Sequence, residues 1–293
     1  MTATARQPLE VLPGLAGKAA VLDAPGKMIA KTARGIGPGA LKDLLSGTWM
    51  GHALHPLLTD VVIGSWTSAT VLDLAGGKGS ERAADRLIAV GIAAYPPTAL
   101  TGLLDWADGE PLGEDVRRVG LVHAGLNAVA LGLYVASLRS RRSGRRGRGI
   151  VLALAGAGWM GAAGHLGGHL AYRLGVGVDQ TLFNRGPEDW SDAIAEDELA
   201  NTTPVCVQID ETPVMVVRDG DDVLALHDWC SHRGCSLATG QIADGIVTCP
   251  CHGSRFDLRS GAIVQGPATA PQPVFETRTR AGRVEVRLNA EGA

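Results

Sequence analysis

The sequence predicts an α-helical transmembrane bundle of four helices followed by an all-β domain. Three observations carry that prediction. Four apolar stretches, at roughly 57–75, 87–104, 119–138 and 150–172, each approach the ~20 residues that cross a bilayer as a helix. From about residue 203 onward, brief β-rich runs such as Pro204–Ile209, Val214–Val217 and Val284–Leu288 alternate with Gly and Asp turns. Among those runs stand two Cys/His clusters whose spacing can deliver four metal ligands to one point.

Composition agrees with a chain half in lipid. Its 293 residues include 40 Gly but only six Trp, three Tyr and three Phe, and mean hydropathy is positive. That length suggests about two domains. A net charge of −3, with no basic stripe interleaved with aromatics, gives a nucleic-acid partner no support. Residues 1–50 carry Arg6, Lys18, Lys27, Lys31, Arg34 and Lys42, with Pro/Gly breaks at 13–14 and 37–38. They lack a compact apolar segment, so no cleaved secretory signal is expected. They read as a loose N-terminal arm, or an interfacial one in which Leu41, Leu44 and Leu45 touch the headgroup region.

The membrane domain is placed at 51–175. Its apolar stretches lack the polar stripe that helices of a soluble bundle show every turn. Pro96-Pro97 should kink the second helix, which neighbouring helices can accommodate in a membrane. Gly161, Gly164 and Gly168 would let another helix or a flat cofactor approach the fourth. The run His52-Ala-Leu-His55-Pro56-Leu-Leu-Thr-Asp60, followed by Ile63-Gly-Ser-Trp66, resembles a widespread bacterial four-helix membrane domain of unassigned function, DUF2231. That resemblance implies no activity.

Five histidines lie in this half: His52, His55, His123, His165 and His169. With four crossings, the start of the first helix, the start of the third, the end of the fourth and the C-terminal domain share one side of the membrane. His165 and His169, four apart, share a helix face. Ionisable groups at membrane depth suggest function by default. A b-type haem between His123 and His165 or His169, a quinone site using a histidine with Asp60 or Asp105, and a metal ion held by His55, His123 and the 165/169 pair are the functional alternatives. The structural alternative is histidines that only hydrogen-bond between helices.

Between the third and fourth helices, residues 139–148 hold six arginines and no acid. The positive-inside rule places such a loop in the cytoplasm and the C-terminal domain on the extracytoplasmic side. Arg145-Arg146 ahead of the last apolar stretch also resembles a twin-arginine export signal. Residues 176–202 are acidic, with Asp179, Glu188, Asp189, Asp192, Glu196, Asp197 and Glu198, and read as a linker with a short helix. The all-β domain is placed at 203–293, a sandwich or barrel with the metal loops at one tip, and Cys206 in its first strand reads as a buried thiol.

The metal motif is Cys230-x-His232, sixteen intervening residues, then Cys249-x-x-His252. Ligand softness alone allows zinc or iron with sulfide. Common zinc patterns pair Cys with Cys on one knuckle and His with His on another, whereas here each loop offers one of each. That suits a two-iron cluster with the cysteines on one iron and the histidines on the other.

At this point the chain resembles the Rieske family, over about a hundred residues and through the Gly266-Pro267 turn that covers the cluster in that family. The resemblance implies a [2Fe–2S] cluster, with Cys230 and Cys249 on one iron and His232 and His252 on the other. It implies a disulfide between Cys235 and Cys251, as in cytochrome bc-type members, and a hydroxyl of Ser254 that donates to a cluster sulfide. Phe256 stands where respiratory members carry a tyrosine, and Arg233 where they present an apolar residue to quinol. These departures imply a potential below the respiratory members, within the Rieske range of about −150 to +300 mV. Actinobacterial proteins that fuse DUF2231 to a Rieske domain resemble the whole chain. The implied function is a membrane-anchored relay of single electrons to a redox partner protein or quinone; the alternative is a quinol- or haem-linked oxidoreductase with a second redox site in the helices. An oxygenase would need a large downstream domain with its own iron, which is not expected in the 41 residues after His252.

Overall fold

The computed structural model describes residues 10–77 and 79–289, in two compact units. The helical unit comprises the chain up to Gly35 together with Leu54–Val176; the β unit comprises Ile36–Ala53 and everything from Gly177.

In the helical unit, α1 (Val11–Gly17) and α2 (Asp23–Ala33) precede α4 (Leu54–Ala75), α5 (Glu81–Gly109), α6 (Glu114–Arg142) and α7 (Arg146–Tyr172), while α3 (Ala40–Ser46) belongs to the β unit. The last four are long and apolar enough to cross a membrane. Val71, Leu74, Val90, Val129, Val151 and Leu154 point outward from them, as lipid contact requires. α5 runs through Pro96 and Pro97 as one helix.

The core of this unit pairs aromatics with glycines. Trp66 of α4 stacks on Tyr134 of α6 with ring centroids 4.0 Å apart. Its indole lies on Gly91 of α5, where a Cβ would fall 2.2 Å from the ring nitrogen, and Gly156 of α7 receives Tyr134 in the same way. At Gly161, Gly164 and Gly168, expected to admit a helix or cofactor, an added Cβ would meet no other element among the described residues: at the first two it would have nothing within 4 Å, and at the third it would meet Tyr172 of the same helix. The periodicity was correctly helical; which face met a neighbour was set by the large rings on α4 and α6.

Ion pairs close both ends. At one end Arg141 binds Asp73, with both side chains 1% exposed, and donates to Asp85 at 3.1 Å, while Arg146 reaches Asp73 at 2.7 Å. Two of the six loop arginines are thus matched by acids on α4 and α5. At the other end Arg117 binds Glu110, Arg118 binds Asp23 at 2.6 Å, and Arg34 donates to Ala107 O at 2.6 Å. Arg118 holds the Asp23 carboxyl down at about 2. These contacts, and packing of Ala16 with Val119, Leu166 and Leu170, fold residues 10–35 onto the helices rather than leaving a loose arm. Of the basic residues in this segment, Arg34 meets the buried Glu110 at 3.3 Å, and Asp23 of the same segment in turn receives Arg117 and Arg118 of α6.

The β unit contains two antiparallel sheets. One has six strands in the order β1-β10-β9-β4-β3-β2: β1 (Ser191–Ala195), β10 (Arg283–Leu288), β9 (Val274–Arg280), β4 (Asp222–His227), β3 (Thr212–Asp219) and β2 (Val205–Ile209). Its edge strands β1 and β2 approach each other, so the sheet nearly closes and its edges are protected. The other sheet is β5 (Gln241–Ala243), β6 (Ile246–Thr248), β7 (Arg255–Asp257) and β8 (Ile263–Gln265), in that order. β3 is buried on both faces. Val214 and Val216 pack with Val284, Val286 and Phe275 inside the curled sheet, and Met215 and Val217 pack with Leu226, Val247, Phe256 and Leu258 between the sheets.

Two expectations change here. Residues 191–195, inside the acidic stretch read as a linker, form β1, and its Asp192 is matched by Arg283 on β10. Acid content suggested solvation, but the partner strand supplies the counter-charge. The short helix expected there is a single 3-10 turn, Glu196–Glu198. Cys206 is exposed rather than buried, because β2 is an edge strand and the thiol alternates outward.

Candidate metal centre

Three loops build the site. The first joins β4 to a 3-10 turn at Leu237–Thr239, the second joins β6 to β7, and the third joins β8 to β9. The first two are closed by the same hydrogen bonds. Cys230 N donates to Cys235 O at 2.8 Å and Gly234 N returns to Cys230 O at 2.8 Å; Cys249 N donates to Ser254 O at 2.8 Å and Gly253 N returns to Cys249 O at 3.0 Å. Both turns need a left-handed residue four places after the cysteine, and Gly234 (φ 74°) and Gly253 (φ 77°) supply it without a Cβ penalty. These glycines let two separate loops present one Cys and one His each in the same way.

The four candidate ligands form two pairs. Cys230 and Cys249 are each 1% exposed and their sulfurs hydrogen-bond to each other. That bond pulls the Cys249 thiol down to about 7 and, with burial, pushes Cys230 well above its usual value, as expected for two thiols sharing one proton. The rings of His232 and His252 meet edge to face, centroids 5.0 Å apart. Burial, followed by the charges of Arg233, His252 and Lys42, holds the His232 imidazole well below its ordinary pKa, so it is a neutral donor. Two buried thiols and two half-buried imidazoles on glycine-closed turns fit a soft metal centre, and the pairing of one Cys and one His per loop fits a two-iron cluster.

The disulfide between Cys235 and Cys251 is formed and ties the two loops together. It lies against the ligand Cys249, since the three sulfurs are within 4.8 Å of one another. Ser254 is fully buried, and its Oγ accepts from Ala268 N of the third loop at 3.0 Å. Acting there as an acceptor, the hydroxyl keeps its own O–H to donate. Phe256 is buried among Cys230, Cys249, Val247 and Leu258. Arg233 is also buried, with Nη1 donating to His232 O at 3.0 Å, so it braces the loop instead of projecting from the tip.

Residues with no motif of their own hold the first loop. Gln272 is 1% exposed; its Oε1 accepts from Ser231 N at 2.8 Å and its Nε2 donates to His227 O and Trp229 O, both at 2.9 Å. Ser231 Oγ donates to Ala270 O at 2.7 Å, and Gln180 N donates to Ser231 O at 3.1 Å. The only sequence signal for Gln272 was a lone amide in a Pro-rich run, which no spacing rule reads.

The membrane histidines make local bonds. His55 Nδ1 lies 2.9 Å from Thr98 O, linking α4 to α5, and His123 Nδ1 lies 2.8 Å from Ala163 O, linking α6 to α7. Asn127 Nδ2 approaches His123 Nε2 at 3.1 Å, so both ring nitrogens of His123 are engaged. His165 and His169 lie one turn apart on α7, and His52 is exposed with Nδ1 at Ala53 O. The ring geometry of His55 and His123 is that of ties between helices.

Both units are similar to known families. Residues 189–276 match the model of the Rieske [2Fe-2S] domain, and residues 51–180 match that of a predicted membrane protein family, DUF2231. Over 100 residues the chain is 37% identical to the anthranilate 1,2-dioxygenase ferredoxin subunit of Burkholderia cepacia, covering 34% of this chain and 93% of that protein. It is 29% identical over 91 residues to the cytochrome b6-f complex iron-sulfur subunit of Chlorobaculum tepidum, covering 31% of this chain and 49% of that one. A solved structure, the ferredoxin of carbazole 1,9a-dioxygenase from Nocardioides aromaticivorans, aligns with a TM-score of 0.33 at 30% identity, covering 34% of this chain and 98% of that chain.

Proposed function

Because the chain belongs to the Rieske [2Fe–2S] family, we propose that it is a membrane-anchored one-electron relay, with α4–α7 as anchor and the loops at 230–235 and 249–254 as redox centre. The observation that carries this reading is the convergence of Cys230, His232, Cys249 and His252 on two turns of the same construction. Bound there, a [2Fe–2S] cluster supplies a single-electron couple. The chain's own residues do the rest. The two thiolates and two imidazoles hold the group, Ser254 offers a hydroxyl that favours added negative charge, the disulfide keeps the loops at fixed separation, and Phe256 excludes water without contributing a donor. Relatives named as ferredoxin and iron-sulfur subunits support electron relay, and the partner is a redox protein or a quinone.

We assign the β unit to the extracytoplasmic side, supported by the disulfide, which suits an oxidising compartment, and by the Arg-rich loop at 139–148, which the positive-inside rule assigns to the cytoplasm. A second redox site in the helices has less support, since His123 has no ring nitrogen left for iron.

The test is electron paramagnetic resonance on the dithionite-reduced, detergent-purified protein. The wild type should show the signal of a Rieske centre, and Cys249→Ser should abolish it. A signal that survives the substitution would overturn the ligand assignment.

A further inference from the structure

One end of the helical unit, where α4 and α6 finish and α5 and α7 begin, carries more cation than its acids can match. The acids there, among the described residues, are Asp73, Glu81 and Asp85. Two arginines engage all three. Arg141 binds Asp73 and meets Asp85 at 3.1 Å, while Arg146 meets Asp73 at 2.7 Å, Asp85 at 3.4 Å and Glu81 at 3.8 Å. Arg82 and Arg86 of α5, Arg139 and Arg142 of α6, Arg145 at the N-cap of α7 and Arg148 in its first turn are left over. All six are exposed, and none meets an acid among the described residues.

The fold crowds these charges instead of dispersing them. Arg141 ties the end of α6 to the start of α5, and Arg146 ties the start of α7 to the end of α4. Each leftover arginine stands within two residues of a member of this network. Arg82 and Arg86 lie four apart on one helix face and Arg139 and Arg142 three apart on another, spacings at which like charges repel. Arg145 and Arg148 stand at the positive end of the α7 dipole, and the first turn there holds no acid. Only Arg139 and Arg142, in a last turn, occupy positions where a helix dipole favours a cation. The chain leaves the others without a counter-charge of their own.

Depth identifies the missing partner. Each of the six lies within five residues of the boundary of an apolar stretch, ahead of 87 in α5, after 138 in α6 and ahead of 150 in α7. At about 1.5 Å per residue, that is within about 8 Å of the hydrocarbon along the helix axis, at the level of the phosphate headgroups. A guanidinium matches phosphate oxygens with two parallel hydrogen bonds, and basic clusters beside spanning helices attract anionic lipid.

We propose that this end of the bundle is a binding surface for anionic phospholipid, with the six exposed arginines meeting headgroup phosphates while Arg141 and Arg146 hold the helix ends together. The proposal rests on the membrane-anchored reading above and adds to it a lipid class.

The experiment is native mass spectrometry of the full-length protein released from nanodiscs that mix zwitterionic phosphatidylcholine with anionic phosphatidylglycerol. Among the lipids retained by the wild type, phosphatidylglycerol should be enriched at least about fivefold over its share of the disc, and less so as ionic strength rises. Changing Arg139, Arg142, Arg145 and Arg148 together to Gln should bring the enrichment below about twofold, and changing the same four to Lys, which keeps the charge, should preserve most of it. Equal retention of the two lipids by the wild type overturns the proposal, as does full enrichment in the glutamine variant. Inorganic phosphate at matched ionic strength should leave the enrichment in place; its loss would make the surface a site for free phosphate and overturn the lipid assignment. A wild-type protein that does not enter nanodiscs at all overturns the membrane-anchored reading, and the lipid surface with it.

Discussion

Replacing Gln272 with leucine should cost the cluster loops their principal cross-tie. The side chain is buried, so water cannot substitute for what it gives up, and leucine keeps most of its volume. Three bonds disappear: one accepted from Ser231 N at 2.8 Å and two donated to His227 O and Trp229 O at 2.9 Å. A buried amide hydrogen left without a partner costs ~1–3 kcal/mol, and each lost carbonyl bond ~0.5–1.5 kcal/mol net, so the substitution should destabilise the β unit by roughly 2–6 kcal/mol. For a unit of about a hundred residues, 1 kcal/mol moves the melting temperature by about 4–8 °C, so the transition should fall by at least ~8 °C. The assay is thermal loss of the cluster's visible absorbance and near-ultraviolet circular dichroism in the full-length protein. Because His232 lies one residue beyond Ser231, release of the cluster should accompany the transition rather than follow it. A variant that melts within ~2 °C of wild type would refute the reasoning, and would mean that the first loop is held by its ligands and disulfide alone.

Two further outcomes are expected. Phe256→Tyr should raise the midpoint potential by on the order of 50 mV, the effect of one added hydrogen bond that favours the reduced form by about 1 kcal/mol; a potentiometric titration showing no change or a fall would remove the hydroxyl from the account. Asp73→Asn, which keeps the side chain's shape but strips the charge between Arg141 and Arg146, should lower helical-unit stability by about 3–5 kcal/mol, because a guanidinium 1% exposed loses its main counterion. Thermal unfolding followed by far-ultraviolet circular dichroism in lipid nanodiscs measures it, and an unshifted melt would show that Asp85 suffices.

A candidate ligand set is legible because metal chemistry restricts residue type and spacing at once. Few patterns of Cys and His put two thiols and two imidazoles on two short loops, so Cys230, His232, Cys249 and His252 could be named from the chain alone. Four helices long and apolar enough to cross a membrane were legible as well, since bilayer thickness sets a length that apolar runs must meet. Partial legibility marks the fourth helix: its glycines announced close approach, but the rings of Trp66 and Tyr134 selected Gly91 and Gly156 as partners and left Gly161 and Gly164 facing outward. Acidic residues 188–198 looked like a linker because a single chain segment does not display its counter-charges, which here come from Arg283 and Arg218 in other strands.

By itself, then, the sequence determined the two-part architecture and offered four candidate ligands of matching donor chemistry, because those depend on local composition and on donor identity. Only the tertiary structure decided that Cys206 is exposed, that His55 and His123 tie helices together, and that Gln272 braces the first loop. Each of these is a contact between residues far apart in the chain, and no periodicity or spacing rule encodes a partner that only folding brings near.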